Sequence, residues 1–402
     1  MNSRGDIFSL EKHGTSAHLY LDALTGLRGV AAIWVALWHT WKFSGRPTYE
    51  LMLWGSNVDL TPLIRTGWAG VDVFFVLSGF VLGLPYCQAL LGNRPPIGTG
   101  EFFRRRLLRV LPAYYIQLII LLLLWLILAG RLPVPVTDIL AHVFMLHNIF
   151  PGQGEMINGV YWTLPIEFDF YLVLPLLALL LAPKKWPWLL AGSLALMLVY
   201  RYAVFHGYLQ DATTPEKVRV LNQLPGRLDQ FVSGMLAAYV YSLARASGVA
   251  GSGIYRWRNL LFTLSFFRII ALSYFIHHIQ PMNAQNLPGE TFWAGHWSLF
   301  SWHSLFGMAL ALMILSLAMG IRGVNWLLAN RGMLYLGVIS YSIYLWHLPI
   351  VKLLGSMSLP ELVPGAPFLN LLLWVLVPVM AASSLSYFAV ERPFLKLRHR
   401  SK

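Results

Sequence analysis

The chain has 402 residues, of which 57% are hydrophobic and only 12% charged, about half the charged share of a soluble chain. Its single cysteine, Cys87, excludes an intrachain disulfide and a cysteine-rich metal site. The formal charge of +13 resembles that of a nucleic-acid binder. Among long apolar runs it fits positively charged cytoplasmic loops instead, so no nucleic-acid partner is expected.

Apolar runs of about 20 residues recur along the whole length, which predicts an all-α polytopic membrane protein. The first residues are polar and mixed in charge, and nothing there reads as a cleavable signal peptide. Ten spans are expected, at 24–43, 68–88, 108–130, 161–182, 187–206, 227–246, 259–279, 298–319, 332–354 and 368–391. Residues 137–150 are apolar but too short to span, and carry His142, His147 and Asn148. They read as a short re-entrant or interfacial segment. Were they to span, there would be eleven crossings and the far half of the topology would invert.

Charge arbitrates. With ten spans and a cytoplasmic N-terminus, most lysines and arginines fall inside. The inside clusters are Arg104-Arg105-Arg106 with Arg109, Lys184-Lys185, Arg256 with Arg258, and the tail Arg392, Lys396, Arg398, Arg400 and Lys402. The expected organisation is a cytoplasmic segment 1–23, an integral membrane domain 24–391 and a basic cytoplasmic tail 392–402. No appended soluble domain is read. The longest outer loop joins the third and fourth spans, with Pro133, Pro135, Pro151 and Gly152.

The first span holds Arg28 and His39. Ionisable side chains cost free energy in hydrocarbon, so an intramembrane pair points to function. Eleven residues at about 100° each make three turns plus roughly 20°. Arg28 and His39 therefore share a helix face, roughly 16 Å apart, with Ala32 and Val35 between them. Topology adds direction. Arg28 and the Arg104–Arg109 cluster lie toward the cytoplasm. His39, Asp72, Glu167 and His347 fall in outer halves of their spans.

That polarity suits transfer of a group from a phosphorylated cytosolic donor to an acceptor outside. Arginines hold phosphates by charge-assisted hydrogen bonds. A neutral imidazole takes a proton from an attacking hydroxyl or carries the acyl group itself. A carboxylate, Asp72 or Glu167, orients that imidazole. Plainer roles compete with these: a snorkelling anchor for Arg28, positive-inside anchors for Arg104–Arg109, a helix cap for Asp72, and helix–helix hydrogen bonds for His347. His277-His278 and His296 with His303 lack the nearby Asp or Cys of a metal site, so no metal is expected.

Several segments, in order, resemble the membrane-bound acyltransferase-3 family. Arg28 and His39 match its first-span arginine, ten residues, histidine signature. Gly70-Val71-Asp72-Val73-Phe74-Phe75-Val76-Leu77-Ser78-Gly79-Phe80 is similar to its second-span motif. Arg106 and Arg109 match its paired arginines, followed by Leu111-Pro112-Ala113-Tyr114-Tyr115. Trp162 to Tyr171 resembles its glutamate box, although Phe168 separates Glu167 from Asp169 where the family has adjacent acids. Arg227-Leu228-Asp229-Gln230-Phe231, Ser340 to Pro349 and Glu391-Arg392-Pro393 complete the series.

The resemblance implies a bacterial inner-membrane O-acyltransferase. It implies acyl-CoA, most often acetyl-CoA, as donor, with its phosphates at Arg106 and Arg109 beside Arg105. It implies His39 as the catalytic group and a carbohydrate or glycoconjugate hydroxyl as acceptor, among membrane lipid. Lipopolysaccharide, exopolysaccharide, a carrier lipid or a small glycoside all fit that acceptor. The rival expectation is a transporter or flippase for a lipid-linked or small polar substrate, which would move its substrate unchanged.

Overall fold

A computed structural model describes residues 15–93, 95, 98–149, 157–208, 219–246, 248, 253–279 and 297–397. Pro151, Gly152, His296 and the tail from Arg398 onward lie outside the described residues, as does most of the N-terminal segment.

Helix α1 (Thr15–Phe43) carries the first span. A hairpin that was not expected follows, with β1 (Glu50–Leu53) antiparallel to β2 (Ser56–Asp59). Its turn residues, Trp54 and Gly55, both have positive φ, 47° and 80°. Such a two-residue turn matches the strand twist and favours glycine at its second position. Helix α2 (Thr61–Leu90) returns through a 3-10 turn at Thr66–Ala69. Helix α3 (Thr99–Ala129) ends on Gly130 at φ 65°, a left-handed cap that suits glycine.

Helix α4 (Val136–Val143) has 8 residues. It rises about 12 Å, less than half a hydrocarbon core, so the eleven-span alternative falls. Tyr114 and Tyr115 on α3 donate to the carbonyls of His142 and Val143, the end of α4 where carbonyls lack helical partners.

The next helices are α5 (Thr163–Ala178), α6 (Trp186–Ala203), α7 (Leu228–Ala246), α8 (Gly253–Ile279) and α9 (Trp297–Met319). After α10 (Arg322–Leu328) the ninth expected span is two helices, α11 (Arg331–Val338) and α12 (Ser340–Gly355), bent by 70°. Helix α13 (Pro367–Ser386) passes through a π-helical turn at Tyr387–Glu391 into α14 (Arg392–Leu397). Every expected span is thus helical; among the described residues six helices, or seven if α11 and α12 count as one, are long and apolar enough to cross a membrane, and the chain is an all-α polytopic membrane protein.

Helices α1 and α2 form the centre. Helix α1 packs on α2 and on α9 to α13, while α2 packs on α5, α7 and α9. Burial grades outward from them. In α9, 83% of the apolar window is inside the protein, against 17% in α8 and 28% in α3. The outer faces of α3 and α8 expose Leu123, Ile127, Leu128 and Phe267, surface that suits lipid rather than water.

Small residues set the two closest helix contacts. Gly79 and Gly234 face the backbone carbonyls of Phe231 and Val76, joining α2 to α7. Gly26 and Gly337 face those of Leu328 and Thr25, seating α1 on α10 and α11. None of the four leaves room for a Cβ. Such contacts let helices associate where the lipid supplies no hydrophobic drive.

Candidate active site

His39 and His347 meet in the buried interior. Nε2 of His347 lies 3.1 Å from Nδ1 of His39, and their ring centroids are 4.9 Å apart. Nδ1 of His347 lies 2.9 Å from the carbonyl of Ile343, and Nδ1 of His39 is 3.1 Å from that of Val35. A carbonyl only accepts, so Nδ1 of His347 carries its proton and Nε2 its lone pair. Nδ1–H of His39 then donates to His347 and Val35 together. That leaves the lone pair of His39 on Nε2. This nitrogen has no hydrogen-bond partner among the described residues, and His39 keeps 9% of its surface exposed.

The same-face reading of α1 needs one correction. Ala32 and Val35 are 0% and 2% exposed. Ala32 is covered by Ile339 and Ile343, and Val35 by α2 at Gly70. The strip between Arg28 and His39 is a packed seam, not an open track. Half-buried Phe74, whose ring meets Tyr344 at 5.9 Å, stands beside it.

The opposite end of the strip gathers charge. Arg28 is surrounded by Arg109, Glu167, Tyr171 and Glu391. Neither Arg28 nor Arg109 forms an ion pair with a described group. Glu167 accepts from the Ser78 hydroxyl at 2.7 Å, and Glu391, in the π-helical turn, accepts from Ser342. Arg106 lies near Tyr171 with Arg109. Arg105 pairs with Glu101 one turn away on α3.

Two carboxylates therefore stand elsewhere than expected. Glu167 was expected in the outer half, near His39. Gly70 of α2 abuts Ala31 and Val35 of α1, and Ser78 lies eight residues, about 12 Å, farther along. The two helices run antiparallel, so Ser78 and Glu167 sit level with Arg28. The cause is the segment before α5, whose residues Val160 and Tyr161 are already buried, so α5 starts deep within the protein.

Asp72 was expected as a partner of His39. It follows Gly70 by two residues, about 200° around the helix, and so faces away from α1. Its carboxylate takes Arg227 Nη1 at 3.0 Å and His303 Nδ1 at 2.9 Å. All three side chains are at least 97% buried. Arg227 also donates to Asn222 at 2.9 Å through Nε, and Gln230 to the His303 carbonyl at 3.0 Å. Arg201 reaches the carbonyls of Gly226 and Phe300. This network joins α2, α6, α7 and α9.

The sequence profile of a family described as an acyltransferase domain, Acyl_transf_3, matches residues 21–388. The chain is similar to a Bacillus subtilis (strain 168) protein provisionally named peptidoglycan O-acetyltransferase YrhL, with 26% identity over 97% of this chain and 57% of that one. It is 26% identical to a Komagataeibacter xylinus protein provisionally named membrane-bound transacylase BcsY, over 94% of this chain and 84% of that one. It is 25% identical to O-acetyltransferase OatA of Staphylococcus aureus (strain NCTC 8325 / PS 47), over 94% of this chain and 57% of that one. The chain thus spans 57% of the length of YrhL and of OatA. No solved structure matches it. The profile covers nearly the whole membrane domain, with the Arg28–His39 face and the paired arginines inside it, and the chain belongs to the membrane-bound acyltransferase-3 family.

Proposed function

We propose that the protein transfers an acyl group, acetyl by preference, from cytosolic acyl-CoA to a carbohydrate hydroxyl at the outer face. The observation that carries this is the pair of ends on α1. At one end His39 presents an Nε2 lone pair without a partner among the described residues. At the other, the Arg28 and Arg109 guanidinium groups stand together inside a membrane domain with Glu167 and Glu391 nearby, neither arginine closing an ion pair with a described group. Arginines without a direct carboxylate contact can turn their N–H donors to an anionic ligand.

In this reading Arg106 and Arg109, with Arg28 above them, hold the donor phosphates. Arg105, paired with Glu101 on the half-exposed side of α3, contributes only to the entrance. Because Ala32 and Val35 are covered, the pantetheine arm passes beside them, along half-buried Ser78 and Phe74. The acceptor oxygen attacks the thioester carbonyl as its proton moves to His39 Nε2. The C–S bond breaks, and the thiolate takes that proton as it leaves. Alternatively the acyl group rests on Nε2 before the hydroxyl collects it. His347, not Asp72 or Glu167, holds the His39 ring in the reactive tautomer. The Bacillus subtilis relative, provisionally named for peptidoglycan O-acetylation, supports a glycan acceptor at the cell surface.

The test compares surface glycans, by mass spectrometry, from cells with and without the protein. A mass difference of one acyl group per modified unit is expected, and no difference in any glycan would overturn the reading. Replacing Arg106 and Arg109 together by Gln should weaken acetyl-CoA binding by about 100-fold or more, since each lost charge-assisted contact is worth about 1.5–3 kcal/mol. Unchanged affinity in a titration of the purified protein would remove the arginines from the donor site.

A further inference from the structure

Helix α12 contains a defect four residues long. Pro349 has no N–H, so the carbonyl of Leu345 lacks the donor that an α-helix supplies from position i+4. The proline ring crowds the same carbonyl. His347 stands midway between the two residues. A buried carbonyl without a donor costs free energy, and here two side chains from outside the helix fill the place. Gln117 of α3 donates Nε2–H at 2.7 Å, and Asn158 donates Nδ2–H at 3.0 Å.

These donors are themselves held. Tyr161 donates its hydroxyl to Gln117 Oε1 at 3.0 Å. Asn158 Oδ1 accepts the Val160 N–H at 3.3 Å. Gln117 is 0% and Asn158 3% exposed. One residue from Leu345, the Tyr344 hydroxyl contacts Thr163 at 2.9 Å and the Val160 carbonyl at 3.0 Å. In α3, Gln117 is the lone amide in a run of aliphatic and aromatic residues from Tyr114 to Ala129, an expensive placement in a span without a role.

We propose that Gln117 and Asn158 are positioning residues for the His39–His347 pair, holding the Leu345 carbonyl that Pro349 leaves open and so fixing the turn that carries His347. The proposal rests on the acyl-transfer reading for its consequence, since His347 in turn holds the tautomer of His39. Its geometry can be tested separately. The two donors come from the α3 wall and the chain entering α5, so the site is braced from the side opposite α1.

The first measurement needs no acyl transfer. The full chain in lipid nanodiscs is treated with diethyl pyrocarbonate, and each histidine's modification rate is read by peptide mass spectrometry. In the parent protein both ring nitrogens of His347 are engaged, and it should label slowly. In the Gln117→Met/Asn158→Leu variant, and more mildly in Gln117→Met alone, His347 should label about 10-fold faster while His303 is unchanged. Equal rates at His347, or a rise shared by His303, would overturn the assignment, the second as a general loosening of the fold.

The second measurement is the release of CoA thiol from acetyl-CoA by membrane vesicles carrying each variant. Gln117→Met should lower the maximal rate per folded protein by about 10-fold, the size of effect that misplacing a catalytic group produces, with KM for acetyl-CoA unchanged. Pro349→Ala gives the Leu345 carbonyl a donor from its own helix. In that background the Gln117→Met effect should shrink to about 2-fold. The same loss with either residue at 349 would assign Gln117 a role unconnected to that carbonyl. A parent protein that releases no thiol would sink the acyl-transfer reading and leave the labelling result standing.

Discussion

A His39→Ala protein should reach the membrane at parental levels and lose acyl transfer by about 100- to 10,000-fold, the range of a removed general base. The reactive tautomer follows from four nitrogens. Ile343 fixes the proton on His347 Nδ1, His347 Nε2 then accepts from His39 Nδ1, and the free lone pair falls on His39 Nε2. Removing the first ring in that chain should cost less than removing the last. His347→Ala should lower transfer by about 10- to 100-fold, because Val35 still accepts from His39 Nδ1 but no longer shares it. His347→Gln retains an acceptor oxygen and should retain more activity than Ala. The measurement is acyl content of surface glycans by mass spectrometry, normalised to protein in the membrane fraction. Full transfer by His39→Ala would end the case for His39 as base or acyl carrier. Equal, complete loss in His347→Gln and His347→Ala would mean that His347 acts directly on substrate.

The ring chain also explains which parts of the site were legible in the sequence. Same-face spacing within α1 depends only on helical pitch, so Arg28 and His39 could be placed from residue numbers. The helices followed from apolar runs, and all ten expected segments proved helical, although six of the described helices, or seven with the bent pair, are long and apolar enough to cross a membrane. Depth was another matter. Glu167 was placed near the outer surface on the assumption that its helix starts at the membrane interface. The buried residues Asn158, Val160 and Tyr161 move that start inward and bring Glu167 to Arg28. Facing was misread for Asp72, where the motif gave the residue but not its side. The contact of Gly70 with α1 and the pairing of Asp72 with Arg227 and His303 show that Asp72 looks away from α1. His347 was singled out, yet its pairing with His39 joins residues 308 positions apart, beyond any local pattern. Gln117 was legible in principle as a lone amide in an aliphatic span, and Pro349 pointed to the carbonyl it serves.

Asp72 supplies the second large effect, and it should be one of stability. Asp72→Leu removes the carboxylate that takes both Arg227 and His303. Arg227 would keep Asn222 and the nearby Asp229 carboxylate, which Arg201 shares, so two buried guanidinium charges would depend on one carboxylate. Breaking one side of a buried ion pair costs about 3–5 kcal/mol, and protein surrounded by hydrocarbon offers no water to soften it. The variant should therefore unfold at much lower temperature in detergent and accumulate poorly in membranes. Removing the partner too reverses the sign of the argument. Asp72→Leu with Arg227→Met buries no unpaired charge, and buried pairs exchanged for apolar residues are often neutral or better. The double variant should recover most of the lost thermal stability, with His303 and Asn222 bearing the remainder. Its activity separates the two roles. A stable double variant that still transfers acyl groups makes Asp72 a brace between α2, α7 and α9. A stable one without activity returns Asp72 to the chemistry, acting on the site across the width of α2.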